Sequence, residues 1–375
     1  ELHNYSKNEQ PQGDPSMTDA RWSISKVKSW YQKLPWLVGC NFIPSTAINQ
    51  LEMWQVETFD LETIRRELGW AANSGLNAVR VYLHDLVWKN DPEGFKLRID
   101  QFLDAAHKNN ILTTLVIFDD CWNTDPKPGK QPDPKPFFHN SGWMQTPGIK
   151  VVKDQRQWSR LEAYVTDILK TFGQDERVFL WDLYNEPGNL ILSSIALAGA
   201  RKNLKTISLL GSHFLKPSPS LPLLNKVFEW ARAVNPAQPL TAPLWYITPT
   251  MGSQMNLAVT NLSDVITFHD FFDLPIITDR IAELKVWERP LLCTEFLART
   301  QDCLITTHVP LFKQENVGCF IRGLVSGKTQ TIYNWRQGGR APEPGTPWFH
   351  DLLKPDGSPY DAEEVRVIRE QRVSE

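Results

Sequence analysis

The chain has 375 residues, 41% hydrophobic and 22% charged, the composition of an ordinary globular protein. Its 40 basic and 43 acidic side chains leave a formal charge of −3, which excludes a nucleic-acid binder driven by phosphate neutralisation. No run of about 18 apolar residues occurs, so no membrane-spanning helix is expected.

A polar stretch runs to about Ala20, after which Ile24, Val27, Trp30 and Tyr31 recur at helical spacing. Residues 1–35 therefore read as a polar segment plus a helix capping a barrel floor, and 36–375 as one domain. Eight runs then read as strands: Trp36–Phe42, Asn77–Leu83, Leu112–Phe118, Val178–Tyr184, Pro239–Trp245, Val265–His269, Pro290–Glu295 and Val317–Leu324. Several are continuously apolar, as strands buried on both faces must be. Helical stripes lie between them. One is Leu61, Ile64, Leu68 and Ala71, stopped by Gly75; the next is Phe95, Ile99, Phe102, Leu103 and Ala106. A third runs from Trp158 to Phe172, with Gly173 as its C′ glycine. Leu224, Val227, Phe228 and Ala231 form a fourth stripe, Ile281 with Leu284 a fifth, and Asp361-Ala362-Glu363-Glu364 reads as a capping box opening a last helix.

Strand–helix alternation eight times over predicts a (β/α)8 barrel, with an open doubly wound sheet as the runner-up. That sheet announces itself by a Gly-rich phosphate turn, which Gly39-Cys40-Asn41-Phe42-Ile43-Pro44 does not supply. Two connections are too long for simple turns: Cys121 to about Gln157, after the third strand, and Gly188 to about Pro222, after the fourth. Both belong at the C-terminal mouth of a barrel, and Leu190–Ala200 reads as a short extra helix on its rim. The five cysteines show no metal-ligand spacing; Cys40, Cys293 and Cys319 read as buried core, and a single bridge stays open.

Two strands end in glutamate. Val178–Tyr184 runs into Asn185-Glu186-Pro187, and Pro290–Cys293 into Thr294-Glu295-Phe296. A carboxylate closing a buried strand is costly unless it is paired or at work. Two of them facing each other across one mouth are the minimum apparatus for glycoside hydrolysis. The 15 tryptophans agree, because indole stacks on the flat faces of sugar rings.

At these residues the sequence resembles the clan A glycoside hydrolases, of the family 5 or cellulase-like type. The matching motifs are Trp181-Asp182-Leu183-Tyr184-Asn185-Glu186-Pro187 and Cys293-Thr294-Glu295-Phe296. Gly39–Ser45, Phe118-Asp119-Asp120-Cys121-Trp122 and Gly327-Lys328-Thr329-Gln330-Thr331 also resemble bacterial proteins described as 1,4-β-xylanase-like. The resemblance spans roughly Trp36 to Tyr360 and implies a retaining β-glycosidase, with Glu186 as acid/base and Glu295 as nucleophile, needing no metal and no cofactor. It also implies an extracytoplasmic enzyme acting on a β-glycan or oligosaccharide. The competing reading is a non-catalytic carbohydrate-binding barrel.

The same resemblance puts Asn41, Arg80, Asn185 and His269 around the sugar, with Arg80 keeping Glu295 ionised. A structural ion pair is the alternative for Arg80, and a satisfied core histidine for His269. Asp119 and Asp120 are expected to bind sugar hydroxyls or to pair with Arg80. Trp122, Trp143, Trp245 and Tyr246 are candidate stacking platforms. Two positions depart from the family pattern. Phe271 stands where a tyrosine contacts the nucleophile, and Arg322 where a tryptophan forms the sugar floor, with Trp335 as its replacement. A cation at that floor predicts a preference for an anionic or modified sugar, or weak activity.

Overall fold

The computed structural model describes residues 21–189, 218–245 and 254–373. The polar stretch before Arg21, the rim helix expected at Leu190–Ala200 and Tyr246 lie outside them.

Nine parallel strands form one sheet: β1 (Val38–Phe42), β2 (Ala78–Tyr82), β3 (Leu112–Val116), β4 (Val178–Asp182), β5 (Leu240–Thr241), β6 (Pro243–Leu244), β7 (Ile266–His269), β8 (Leu291–Phe296) and β9 (Gly318–Ile321). Their order, β5-β4-β3-β2-β1-β9-β8-β7-β6, curls the sheet into a nearly closed barrel. Only Ala242 separates β5 from β6, so the two are halves of the predicted fifth strand. One half pairs with β4 and the other with β7. The break has a local cause: Pro243 has no N–H for a ladder, and the Ala242 N–H is drawn off to the Ser263 hydroxyl at 3.2 Å.

Helices cover the outside, among them α1 (Ile24–Tyr31), α2 (Leu61–Asn73), α3 (Pro92–His107), α4 (Trp158–Phe172), α5 (Ser220–Val234), α6 (Gln254–Leu262), α7 (Leu274–Lys285), α8 (Ile305–Gln314) and α9 (Ala362–Val373). The α2 stripe buries Ile64, Leu68 and Ala71 against the strands, and Asp60 caps it by accepting the Thr63 N–H at 3.0 Å. At the floor, Trp22, Val27 and Tyr31 join Ala78, Phe179, Leu180, Leu292 and Phe320 in one buried cluster, and Trp30 stacks on Phe179. The N-terminal helix thus closes the barrel opposite the mouth. No helix of the described residues is long and apolar enough to cross a membrane.

Two further details differ from the sequence reading. Gly173 keeps a helical φ of −70°, so no left-handed cap explains it. A Cβ there would lie 2.3 Å from the Leu169 carbonyl oxygen, and close approach is what requires glycine. Glu364 does not reach back to cap α9 but pairs with Arg299 at 2.6 Å. Cys40, Cys293 and Cys319 are buried as expected, and all five cysteines are free, so the bridge left open does not form.

Candidate active site

Glu295 stands at the carboxyl end of β8, 4% exposed. The pairing of β8 is irregular there on both sides, a bulge geometry that re-aims side chains. Its Oε1 accepts the Tyr82 hydroxyl at 2.7 Å and Arg80 Nη1 at 3.3 Å. Its Oε2 lies 3.0 Å from Arg322 Nε and 3.8 Å from His269 Nδ1.

Arg80 is wholly buried on β2 and organises this side of the mouth. It donates from Nε and Nη2 to Asp182 at 2.9 and 2.7 Å, from Nη2 to Asn185 Oδ1 at 2.7 Å, and from Nη1 to Asn41 Oδ1 at 2.8 Å. Burial disfavours its charge, but the carboxylates of Asp182 and Glu295 outweigh burial and hold it above the ordinary arginine range. Its buried carboxylate partner is therefore Asp182, which corrects the expectation that Asp119 or Asp120 would pair with it. Asn41 is also occupied. Its amide donates to the Thr294 and Ile321 carbonyls at 2.8 and 3.2 Å and so ties β1 to β8 and β9.

Glu186 follows β4 with φ at +42°, an uncommon conformation for a residue with a side chain. Its Oε1 accepts His269 Nδ1 at 2.6 Å; its Oε2 accepts the Cys121 thiol at 3.0 Å and the Asn189 amide. Burial pushes the Glu186 carboxyl up, but the hydrogen bond and charge of His269, helped by Cys121 and Asn189, bring it below the usual carboxylate range. His269 Nε2 is buried and makes no hydrogen bond among the described residues. One oxygen of Glu186, one of Glu295 and a ring nitrogen of His269 all lie within 4.8 Å of one another. That trio would suit a cation by count alone, but the guanidiniums of Arg80 and Arg322 already face Glu295.

The wall beside Glu186 comes from the long segment after β3. Asp119 accepts Asn185 Nδ2 at 2.9 Å and Trp143 Nε1 at 2.8 Å, yet burial outweighs these donors and pushes it up to about 7. Asp120 accepts the Tyr184 hydroxyl at 2.8 Å and the Gly188 N–H at 2.7 Å, and burial pushes it up to about 6. It is 0% exposed and anchors the turn behind Glu186. Trp245 donates to the Pro187 carbonyl at 3.0 Å and braces that same turn. Trp122 packs on His139, and Trp335 sits edge-on to Phe271 and Phe349 at 5.1 and 4.8 Å. A third long connection, from Arg322 to Asp361, carries Trp335, Phe349 and His350 to this wall.

The structure thus brings Glu186, Glu295, Arg80, Asn185, His269 and Arg322 into one cluster, with Asn41 and Asp120 behind it. Tyr82, Asp182, Cys121 and Asn189 complete it without having been singled out from sequence. Tyr82 had a signal: it lies two residues beyond Arg80 on a strand, and a period of two puts both on one face. Cys121 and Asn189 come from loops, where spacing says nothing of direction.

No protein-family model and no curated protein sequence matches the chain. Among solved structures it is similar to a GH5_18 variant from Streptomyces cattleya in complex with Manβ1-4GlcNAc, with TM-score 0.57 and 12% identity over 91% of this chain and 82% of that one. It is also similar to the exo-β-1,4-mannosidase Op5Man5 from Opitutaceae bacterium strain TAV5, with TM-score 0.58 and 16% identity over 90% of this chain and 60% of that one. A β-1,4-mannanase from the sea hare Aplysia kurodai is a third, with TM-score 0.51 and 17% identity over 76% and 88% of the two chains. At such identities the likeness is one of fold: the chain has the (β/α)8 barrel of these proteins.

Proposed function

We propose that the chain is a retaining β-glycoside hydrolase in which Glu295 attacks the anomeric carbon and Glu186 serves as acid, then base. The observation that carries this reading is the approach of the two carboxylates, with an oxygen of each within 4.8 Å. Retention needs carboxyls roughly 5–5.5 Å apart; inversion needs about 6.5–9.5 Å, to admit a water. Tyr82 and Arg80 orient Glu295 for attack, each donating a hydrogen bond to its Oε1. The proton for the leaving oxygen is held in the hydrogen bond between Glu186 and His269. Asn185, held by Arg80 and Asp119, is beside the acid/base, where a contact to the sugar 2-hydroxyl strengthens in the transition state. A β-linked oligo- or polysaccharide as substrate, met outside the cytoplasm, belongs to the same proposal. The barrels it resembles include a β-1,4-mannanase and an exo-β-1,4-mannosidase.

The test is hydrolysis of a panel of aryl β-glycosides and β-glycans by wild type, Glu186→Ala and Glu295→Ala, with the first-formed anomer read by NMR. Both variants are expected to lose at least about 10³-fold while remaining folded, and the first product to keep the β configuration. An α product overturns retention. A second reading, a barrel that binds glycans without cleaving them, is favoured by the Arg322 guanidinium seated on Glu295. Glycan binding with no turnover of any substrate by wild type would select it.

A further inference from the structure

We propose that the sugar ring held against Glu295 carries an oxyanion substituent, a carboxylate or a sulfate ester, and that Arg322 receives it. The proposal rests on the retaining reading above and names the substrate class for that site.

Arg322 leaves β9 directly, its N–H donating to the Phe296 carbonyl at 3.0 Å, which fixes its side chain beside the end of β8. The guanidinium is largely buried, with 12% of the side chain exposed, and its Cζ lies 5.8 Å from the centre of the Trp143 ring. Glu295 is its one ion-pair partner among the described residues. Nη1 and Nη2 of Arg322 donate no hydrogen bond to any of those residues, which leaves the forked edge of the guanidinium available to a ligand. Arg80 differs. It keeps Asp182 at 2.7 Å whatever happens at Glu295.

The chemistry changes the balance between the two arginines. As the glycosyl-enzyme forms, a Glu295 oxygen bonds to the anomeric carbon, the bond from that carbon to the leaving oxygen breaks, and the leaving oxygen takes the proton shared by Glu186 and His269, which leaves Glu186 a carboxylate. Glu295 is then a neutral ester. Arg80 still has Asp182, but Arg322 has lost its carboxylate while remaining buried, and an unpaired buried cation is strongly disfavoured. Positive charge also develops on the sugar ring itself in the transition state, beside Arg322. With a neutral sugar only Glu186, which makes no ion pair with Arg322, is left to answer them. An oxyanion on the ring answers them, and the planar guanidinium fork matches a carboxylate or sulfate with two parallel hydrogen bonds.

No neighbour other than Glu295 makes an ion pair with Arg322 among the described residues. Burial pushes His139 down to about 3 and His350 well below its ordinary range, so both stand neutral beside Arg322. Asp351 accepts the Thr331 hydroxyl on Oδ1 at 2.5 Å and makes no ion pair with Arg322.

The experiment compares kcat/KM of the full chain on 4-nitrophenyl β-glucuronide, the 6-sulfated β-glucoside and the unmodified β-glucoside, and on the corresponding manno and galacto series. Wild type and Arg322→Gln are assayed side by side, with Arg322→Lys as a variant that retains the charge but not the fork. Wild type is expected to prefer an anionic glycoside, and Arg322→Gln to lose about 10- to 100-fold of that preference, expressed as the ratio of anionic to neutral kcat/KM. The uronide and sulfate arms identify which oxyanion is read. A wild type that cleaves neutral glycosides as well as or better than both anionic sets overturns the inference while leaving the hydrolase reading intact. If nothing is cleaved, the hydrolase reading fails, and calorimetry with methyl β-glucuronide and methyl β-glucoside decides the inference. Selective binding of the glucuronide that Arg322→Gln abolishes upholds it; equal binding overturns it.

Discussion

Tyr82 places its hydroxyl 2.7 Å from Oε1 of Glu295, reaching it from β2. The segment after β7, where the family pattern has its tyrosine, carries Phe271 instead, and Phe271 packs edge-on against Trp335. Burial and the nearby Glu295 keep the phenol protonated, with its pKa well above the usual tyrosine range, so it remains a donor at any working pH. Tyr82→Phe removes this donor, and with it the acceptor that the hydroxyl gives Arg80 Nη1 and its contact with Asn41, while the ring still meets Trp143 edge-on at 5.0 Å. The expected result is a loss of about 10- to 100-fold in kcat/KM with about 1–2 kcal/mol of stability lost by urea unfolding. Unaltered kcat/KM would show that the hydroxyl does not serve the nucleophile.

Asp182 is the permanent counter-charge of Arg80, both at 0% side-chain exposure. Removing one member of such a pair strands the other in the core. Asp182→Ala is expected to cost about 3–5 kcal/mol of stability by urea unfolding. Asn41→Ala, which deletes a neutral acceptor of the same arginine and the amide bonds to the Thr294 and Ile321 carbonyls, should cost only about 1–2 kcal/mol. Equal effects from the two would mean that the network is held by hydrogen bonding and not by charge.

The barrel was legible because its strands are apolar on both faces and the helices between them repeat at helical spacing. The break at Ala242 was less so, since Pro239–Trp245 reads as one continuous strand until the pairing partners of its two halves are seen. Glu186 and Glu295 were legible because a glutamate closing a buried strand has few structural excuses. Direction was not. Asp119 and Asp120 are adjacent in sequence, yet the first holds Asn185 and the second anchors Gly188. Asp182 went unremarked inside a motif read for its neighbours, although it is the acid that faces Arg80. Composition likewise could not show that Trp245 braces the Pro187 turn.

His269 holds the Glu186 carboxyl down against a burial that would otherwise raise it. In His269→Ala that opposition is gone, and Cys121 and Asn189 remain as donors. The Glu186 carboxyl is then expected to take up its proton at higher pH than in wild type, read from the 13C titration of the Glu186 side-chain carboxyl. The sign is definite, because losing a donor and a partner charge both favour the neutral acid. A midpoint that stays put or falls would assign the depression to Cys121 and Asn189.

His139 links the chemistry to stability. It packs between Trp122 and Trp335, and its Nδ1 bonds the Tyr333 carbonyl at 2.7 Å. Burial first, and then Arg322, push its imidazole down to about 3. An unfolded chain protonates histidine near 6.5, so the contribution of His139 is complete above about pH 6.5 and is lost as pH falls toward 3. Asp119 and Asp120, pushed up to about 7 and about 6, act with the opposite sign and lose stability as pH rises through those values. A single pH profile of the wild type therefore mixes the two. His139→Gln keeps a donor for the Tyr333 carbonyl but removes the titration. Its urea midpoint is expected to fall less than that of wild type between pH 8 and pH 5. Parallel curves would show that the imidazole gains its proton without unfolding the wall it belongs to.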